Sequence, residues 1–311
     1  MIKGTYIFYQ DGKEIHRSEN VITKFGKRFI TNFIAGNINT AKKDISIGID
    51  STSATENDTR LGFEFYRLPV TIGSTDIQTD GLGATTYAVV YKTTLPQDIA
   101  GQINEIGLYP SLRSSTNNYD SKFISSFSDN LSWYTSTGEN PTYSTTGTRI
   151  GDNVLTLSSD SGSSKTYTSD IPNIDLNGYS INDTVTFAYY KNDNNLQKIR
   201  IKFHSSPTSY LWADITPPSG LGYIISTDIP MSTFYNNEVN SPDKSSITKI
   251  SIEIHPTTGN TTSIGADGWR LNDEDTFDPA FGLISRTALD NPLVKYTGRT
   301  VDVEYRLEMT F

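Results

Sequence analysis

Short segments in which apolar and polar residues alternate recur between residues 154 and 271, and this period of two constrains the fold most. Successive side chains of a strand point to opposite sides of a sheet, so alternation is typical of strands that bury one face. Gly, Pro, Asn and Asp, which favour turns, separate the segments. The pattern predicts an antiparallel β-sandwich or jelly roll that needs no helix. Its apolar residues are Val154, Leu155 and Leu157; Val185, Phe187 and Tyr189; Ile199, Ile201 and Phe203; Leu211, Ala213 and Ile215; Ile250, Ile252 and Ile254; Trp269 and Leu271.

The first 110 residues predict a smaller α+β unit with a hairpin, one helix and mixed strands. Asp11-Gly12 lies between two β-rich runs and suits a two-residue hairpin turn. We expect a helix that begins after Asn20 as its N-cap and ends near Gly36, because apolar residues recur every four positions. This stripe is expected to pack on strands near 45–49, 87–94 and 102–109, and it consists of Val21, Phe25, Phe29 and Phe33.

The 311 residues provide room for two domains. A polar stretch without periodicity precedes residue 123 and indicates a linker or domain junction. The last 15 residues alternate again, so we expect a final strand that returns to the first domain. The predicted organisation is a first domain of residues 1–122 plus 277–311, with a jelly roll of residues 123–276 inserted between its halves. Insertions are tolerated at exposed loops whose ends lie close together.

Composition excludes several classes of function. The chain has no Cys, which excludes thiolate catalysis, disulfides and thiolate zinc sites. Its 26 Lys and Arg against 35 Asp and Glu give a net charge of -9, which argues against a nucleic-acid partner. No run of about 18 apolar residues exists, and the first residues lack the apolar region of a secretory signal. We therefore expect a soluble chain without membrane insertion or classical export.

The residues show no catalytic pattern, so we expect no enzymatic activity and no cofactor. His16, His204 and His255 are scattered, without the spacing of a metalloprotease. A glycoside hydrolase stays an alternative, because its two carboxylates need only meet in space. No metal is expected: an EF-hand spacing is absent, and a solvated junction is favoured over calcium for the acidic cluster Asp273, Glu274, Asp275 and Asp278.

One strand segment, SYLWADI, presents aromatic residues on its polar side. If Leu211, Ala213 and Ile215 face the core, then Tyr210, Trp212 and Asp214 face outward. Rings beside a carboxylate suit contact with a glycan or a protein partner. The alternative is that a second sheet or a neighbouring subunit covers them. A basic stripe on a nearby segment reads as a solvated face or as a contact for an acidic neighbour, and it consists of Lys198, Arg200 and Lys202.

Three segments follow one another in an order that resembles bacteriophage tail-collar fibre and related tail or baseplate proteins. They read DISIGIDSTSATENDTRLGFEFYRLPV, YAVVYKTTLP and QINEIGLYP, and the ending LISRTALDNPLVKYTGRTVDVEYRLEMTF is similar to the closing segment of such proteins. The resemblance implies a homo-oligomeric virion component that is assembled in the host cytoplasm and contacts other tail, collar or baseplate proteins. The residues that carry its signature, with a structural role, are Glu105, Ile106, Gly107 and Leu108.

The inserted segment resembles jelly-roll carbohydrate-binding or galactose-binding-like modules. The parallels are SFSDNLSWYTSTG, the strand ITKISIEI and the closing GADGWRL. The resemblance also implies Asp129 and Asp267 as a conceivable pair of metal ligands, weaker than the acidic cluster at 273–278. Together the resemblances imply a structural protein of a tailed-phage virion that attaches by its first domain and presents a β-sandwich. One alternative is a receptor-binding protein that recognises host-surface glycan through Tyr210 and Trp212 of the jelly roll. Another is a glycan-degrading enzyme with an accessory module.

Overall fold

The structure is a computed structural model, and it describes residues 2–37, 43–79, 81, 83, 85–110, 123–128, 131–272 and 282–310. The chain divides into two compact units. Unit 1 comprises residues 1–117 and 276–311, and unit 2 comprises residues 118–275. The predicted domain boundaries at 122 and 277 lie outside the described residues. The prediction of a mainly β chain with antiparallel sheets is confirmed.

The described helices and strands are numbered in chain order. They are β1 (Ile2–Gln10), β2 (Lys13–Glu19), β3 (Val21–Ile22), α1 (Lys24–Ile34), β4 (Lys43–Gly48), β5 (Glu64–Thr79), β6 (Thr85–Leu95), β7 (Gly101–Pro110), β8 (Phe123–Ser125), β9 (Trp133–Thr135), β10 (Thr142–Ser144), β11 (Val154–Ser158), β12 (Lys165–Ile174), β13 (Thr184–Lys191), β14 (Leu196–His204), β15 (Tyr210–Ile215), β16 (Gly222–Ile225), β17 (Ile229–Pro230), α2 (Met231–Asn236), β18 (Glu238–Val239), β19 (Ile247–Pro256), β20 (Ser263–Asn272), β21 (Ser285–Lys295) and β22 (Val301–Thr310).

The described strands of unit 1 form one antiparallel sheet in the order β2-β1-β22-β6-β5-β4-β7-β21-β3. The final strand, β22, pairs with β1 and β6, so the first and last described strands lie side by side. The hairpin predicted at Asp11-Gly12 is confirmed, because β1 and β2 pair with Gln10 opposite Lys13. Asp11 and Gly12 have φ values of 52° and 73°, the positive values that a two-residue turn between twisted strands requires.

Helix α1 begins later than predicted. Asn20 is not the N-cap: the side chain of Thr23 accepts the N–H of Gly26 at 2.9 Å, and the helix starts at Lys24. Val21 and Ile22 form β3 instead, which pairs with β21. The predicted apolar stripe is also only partly buried. Phe29 is buried and Phe25 half-buried, whereas Phe33, in the last turn, is 51% exposed.

Unit 2 is a sandwich of two antiparallel sheets. One sheet follows the order β10-β11-β20-β13-β16, with β8 and β17 on its sides, and the other follows β18-β15-β14-β19-β12-β9. The apolar residues of all six predicted alternating segments belong to these strands and are buried, so the predicted sandwich is confirmed. Aromatic rings fill its middle: Phe187 and Phe203 both pack on Trp269. The sandwich also contains a short helix that the alternation does not predict: α2 buries Met231 and Phe234 against the core.

Neither described helix has the length and apolar character that a membrane-spanning helix requires.

Candidate functional site

The predicted contact residues Tyr210, Trp212 and Asp214 lie on the side of β15 that points away from the sandwich core, as the alternation predicted. All three are half-buried. Cross-strand pairing continues from Trp212 over five strands in a single row, which we call the aromatic row: Trp212, Lys202, Ser251, Thr168 and Tyr134. Strands lie about 4.8 Å apart, so the row spans about 19 Å between its two aromatic ends. We call the side of the six-stranded sheet that carries this row the outer face.

An ion cluster holds Trp212 in place. The guanidinium carbon of Arg200 lies 3.8 Å from the centroid of the indole ring. The same guanidinium donates two hydrogen bonds to Asp214, with N···O distances of 2.7 and 3.0 Å, and Lys198 Nζ lies 2.9 Å from Asp214 Oδ2. A bidentate pair of this kind is geometrically specific. The orientation of the indole is therefore set before any ligand arrives.

Paired charges also form the middle of the outer face. Lys202 Nζ lies 2.7 Å from Glu253 Oε2, and Lys249 contacts Asp170. Next to these pairs, His204 Nε2 and Ser251 Oγ are 2.7 Å apart. The side chains of Lys202 and Glu253 are mostly buried by their neighbours. The middle of the face is thus a close-packed polar layer with aromatic residues at both ends.

Burial and ion pairing determine which side chains of the outer face are charged at neutral pH. Burial lowers the pKa of His204 to about 4, and the positive charge of Lys202 adds to this effect. Burial alone raises the pKa of Asp214, but hydrogen bonds from Arg200 and Lys198 outweigh it and keep the carboxylate ionised. The pKa of Glu253 is likewise lowered, because Lys202 outweighs its burial. The carboxylates are therefore charged and His204 is neutral.

A serine beside a histidine is the arrangement of a nucleophile and its base. Here the Ser251 side chain lies in the middle of the polar layer and Ser251 is fully buried, with His204 8% exposed. A substrate cannot reach this hydroxyl without displacing the layer above it. The pair therefore acts as a buried hydrogen bond between β14 and β19.

Asp267, which the sequence offered as a weak metal ligand, instead anchors a loop. Its Oδ2 accepts the N–H groups of Arg149 and Ile150 at 2.9 and 3.1 Å and the hydroxyl of Tyr223 at 2.5 Å. The guanidinium of Arg149 lies over the Tyr223 ring. Asp129 and the cluster at 273–278 lie outside the described residues. Within the described part of the chain, no group of three acidic or histidine side chains is arranged to hold a metal ion.

The signature residue Glu105 is the centre of a buried network in unit 1. It is fully buried on β7, where its oxygens accept the N–H groups of Phe63 and Gly62 at 2.9 and 3.0 Å. Arg286 donates to Glu105 at 2.9 Å and also to Asp58 and Asp50, at 2.8 and 3.1 Å. The signature glutamate therefore ties the segment before β5 to β7 and β21.

The signature glycine is required by packing. A Cβ on Gly107 would lie 2.7 Å from Leu283 Cδ1 and 3.2 Å from the carbonyl oxygen of Ser285. We expect Gly107→Ala to lower the free energy of unfolding by about 1–3 kcal/mol, the usual cost of overpacking. Chemical denaturation followed by far-UV circular dichroism measures this. Gly178→Ala is the control, since nothing lies within 4 Å of its added Cβ; an equal loss in both variants would contradict the explanation.

Several contacts in these sites could not be predicted from the sequence. The stripe of Lys198, Arg200 and Lys202 was recognised, but its pairing with Asp214 and Glu253 was not, because the partners lie on other strands. Trp133 and Tyr134 are neighbours in β9, so only one of them faces the core; Trp133 is the buried one, and Tyr134 lies on the outer face. The partners of Glu105 were missed, since Arg286 is 181 residues away.

No protein-family model matches this chain, and no curated protein sequence matches it. Solved structures do. The chain is similar in fold to carbohydrate-binding modules. A family 11 module from Clostridium thermocellum, solved with a β-1,3-1,4-mixed-linked tetrasaccharide, is 16% identical, with 49% of this chain and 94% of that chain covered and a TM-score of 0.37.

Two further carbohydrate-related structures are similar at the same level. The family 30 module of a cellulosomal cellulase from Clostridium thermocellum is 15% identical over 54% of this chain and 99% of its own, with a TM-score of 0.35. The glycoside hydrolase domain of Endo-D from Streptococcus pneumoniae is 14% identical over 46% of this chain but only 22% of its own, with a TM-score of 0.32. No ligand or residue role is transferred from these likenesses.

Proposed function

We propose that unit 2 binds an extended, uncharged saccharide on the outer face of its six-stranded sheet. The observation that carries the proposal is the aromatic row, which places Trp212 and Tyr134 at opposite ends of one line of cross-strand neighbours. A line of about 19 Å matches a chain of several sugar rings that runs across the strands. The apolar faces of sugars stack on aromatic rings, and both end residues keep part of their surface exposed.

The polar layer between the two rings supplies the hydrogen bonds. Lys202, Glu253 and Thr168 offer donors and acceptors at positions that the sheet holds fixed. A site whose side chains are already immobilised loses less conformational entropy on binding. The layer therefore suits a ligand with many hydroxyl groups.

Charge pairing favours an uncharged ligand over a charged one. Each cation of the face has a carboxylate partner within 2.9 Å: Lys198 and Arg200 contact Asp214, Lys202 contacts Glu253, and Lys249 contacts Asp170. A charged polymer would have to break these ion pairs to gain an oppositely charged partner of its own. An uncharged saccharide hydrogen-bonds to the pairs as they stand.

Affinity electrophoresis of the full chain tests the proposal. The gels contain soluble uncharged polysaccharides: mixed-linked β-glucan, xyloglucan, galactomannan or starch. We expect at least one of them to retard the protein, and we expect Trp212→Ala and Tyr134→Ala each to weaken the retardation about tenfold, which corresponds to about 1.4 kcal/mol. Retardation is expected to persist at high salt, because screening affects charge attraction and not stacking.

Tyr143→Ala provides a matched control. Tyr143 is a 52% exposed tyrosine on β10, in the other sheet, and its loss should leave the retardation unchanged. The proposal fails if none of the four polysaccharides binds, or if the Trp212 and Tyr134 variants bind like the unmodified chain.

We also propose that unit 1 attaches the chain to a tailed-phage particle, where unit 2 would present its glycan-binding face to the host. The supporting observation concerns the segments that carry the sequence resemblance. They form β4, β5, β6, β7, β21 and β22, which are consecutive neighbours in the sheet of unit 1. The experiment is mass spectrometry of purified particles, in which we expect a small, constant copy number. Absence from the particles would contradict this role, and with it the expected homo-oligomeric virion component.

A further inference from the structure

A groove of about 480 Å³ lies on the sheet of unit 1, over the neighbouring strands β1, β22, β6 and β5. This volume falls within the range of about 300–1,000 Å³ that is typical of small-molecule sites. Two rows of cross-strand neighbours form it. Tyr9, Asp302 and Thr94 make the first row, and Glu304, Lys92 and Thr71 make the second.

A buried carboxylate forms the floor of the groove. Glu304 is 7% exposed, although it is ionisable and lies in the lining. Each of its two oxygens has its own cation: Lys92 Nζ lies 3.1 Å from Oε2, and a guanidinium nitrogen of Arg306 lies 3.2 Å from Oε1. Buried carboxylates are costly unless they are paired in this way. The floor is therefore rigid before any ligand binds.

The rim carries polar atoms that still have capacity for hydrogen bonds. Thr94 donates to Asp302 Oδ1 at 2.6 Å, and the described residues place no partner on Asp302 Oδ2. The Tyr9 hydroxyl also has no hydrogen-bond partner within the described part of the chain. Burial, and then the charge of Glu304, raises the pKa of Tyr9, so its phenol keeps its proton at neutral pH. The Lys92 side chain is 56% exposed and retains N–H groups for a ligand.

The hairpin turn keeps one side of the groove open. Gly12 lies in the lining with a φ of 73°, and no atom lies within 4 Å of the position that a Cβ would take. A side chain there would be strained in this conformation and would project into free space beside the groove. The turn thus brings backbone to the rim without narrowing the entrance.

We propose that this groove is a second saccharide-binding site, for one or two uncharged sugar rings, separate from the outer face of unit 2. Its lining offers the ammonium group of Lys92, a carboxylate oxygen of Asp302, and the hydroxyl and partly exposed ring of Tyr9. This mixture of donors, acceptors and a stacking surface is what a molecule with many hydroxyl groups requires. An anion is disfavoured because Asp302 and Glu304 flank Lys92, and a cation is disfavoured because Lys92 itself lies in the groove.

Saturation-transfer NMR on the full chain tests the proposal. The probes are glucose, galactose, N-acetylglucosamine and maltose, with phosphate and ethylamine as charged probes. The experiment uses the double variant Trp212→Ala/Tyr134→Ala, which removes both aromatic ends of the row on the outer face. In this background we expect at least one sugar to bind, and we expect Tyr9→Ala and Asp302→Ala each to raise its Kd about tenfold or more.

Tyr87→Ala is the matched control, because Tyr87 is a 44% exposed tyrosine on β6 that does not line the groove. Its Kd should equal that of the background. The proposal is overturned if no sugar binds in the Trp212→Ala/Tyr134→Ala background, if Tyr9→Ala binds as well as Tyr87→Ala, or if only a charged probe binds. A different result would show that the outer face does not bind saccharide: polysaccharide retardation would be the same with and without Trp212.

Discussion

Arg286→Met is expected to lower the free energy of unfolding of unit 1 by about 3–5 kcal/mol, the usual cost of removing one partner from a buried ion pair. Arg286 is 3% exposed and is the shared partner of Glu105, Asp50 and Asp58. Burial already raises the pKa of Glu105, and Arg286 is the main influence that opposes this. Without the guanidinium, the three carboxylates lose the cation that they share.

Far-UV circular dichroism during chemical denaturation measures the loss, because all three Trp residues lie in unit 2 and do not report on unit 1. Hydrogen exchange adds a local measurement. The amides of Gly62 and Phe63, which donate to Glu105, should exchange faster in the variant. Arg17→Met is the control, since the pair of Arg17 with Glu14 is exposed and its loss should have no measurable effect. Unchanged stability and exchange in Arg286→Met would refute the importance of the network.

Asp267→Asn is expected to abolish a pH dependence of the stability of unit 2. Burial raises the pKa of Asp267 to about 7, although hydrogen bonds from Tyr223 and from the N–H groups of Arg149 and Ile150 oppose the shift. In the unfolded chain an Asp titrates near about 3.9. Between about pH 4 and pH 7 the folded state therefore holds a proton that the unfolded state has released. The free energy of unfolding should fall by a few kcal/mol as the pH rises through this window.

Asparagine fits the same contacts without a titratable proton. Its carbonyl oxygen can take the place of Oδ2, which accepts all three donors, and its NH₂ group then faces Thr148 Oγ1, 3.4 Å from Oδ1. Asp267→Ala removes these contacts and should lower stability at every pH. The contrast between the two variants separates the charge from the hydrogen bonds.

Urea denaturation followed by Trp emission from pH 5 to pH 8 measures the effect, because all three Trp residues report on unit 2. His204 acts in the opposite direction, since its lowered pKa makes unit 2 more stable as the pH rises from about 4 to about 6.5. The difference between the unmodified chain and Asp267→Asn removes this contribution. A difference that stays constant over the pH range would contradict the raised pKa of Asp267.

Expectations based on neighbouring residues agree with the structure where the interaction is local. The Asp11-Gly12 turn depends on the φ values of two adjacent residues, and the strands of the sandwich depend on alternation within a few positions. The predicted start of α1 was wrong because a distant strand pairs with the first residues of the predicted helix. Val21 and Ile22 have the spacing of a helix, but they pair with Arg286 and Ser285, from the far end of the chain.

By itself the sequence determined the mainly β class, the six alternating segments of the sandwich and the outward side of Tyr210, Trp212 and Asp214, because period-two patterning and turn residues act over short stretches. Only the tertiary structure decided which side chains meet. Tyr134 reaches the row of Trp212 through four strand pairings, Arg286 reaches Glu105 across 181 residues, and Tyr9 joins Asp302 from the other end of the chain. Pairing between distant strands depends on register and on burial over the whole sheet, and no local pattern encodes it.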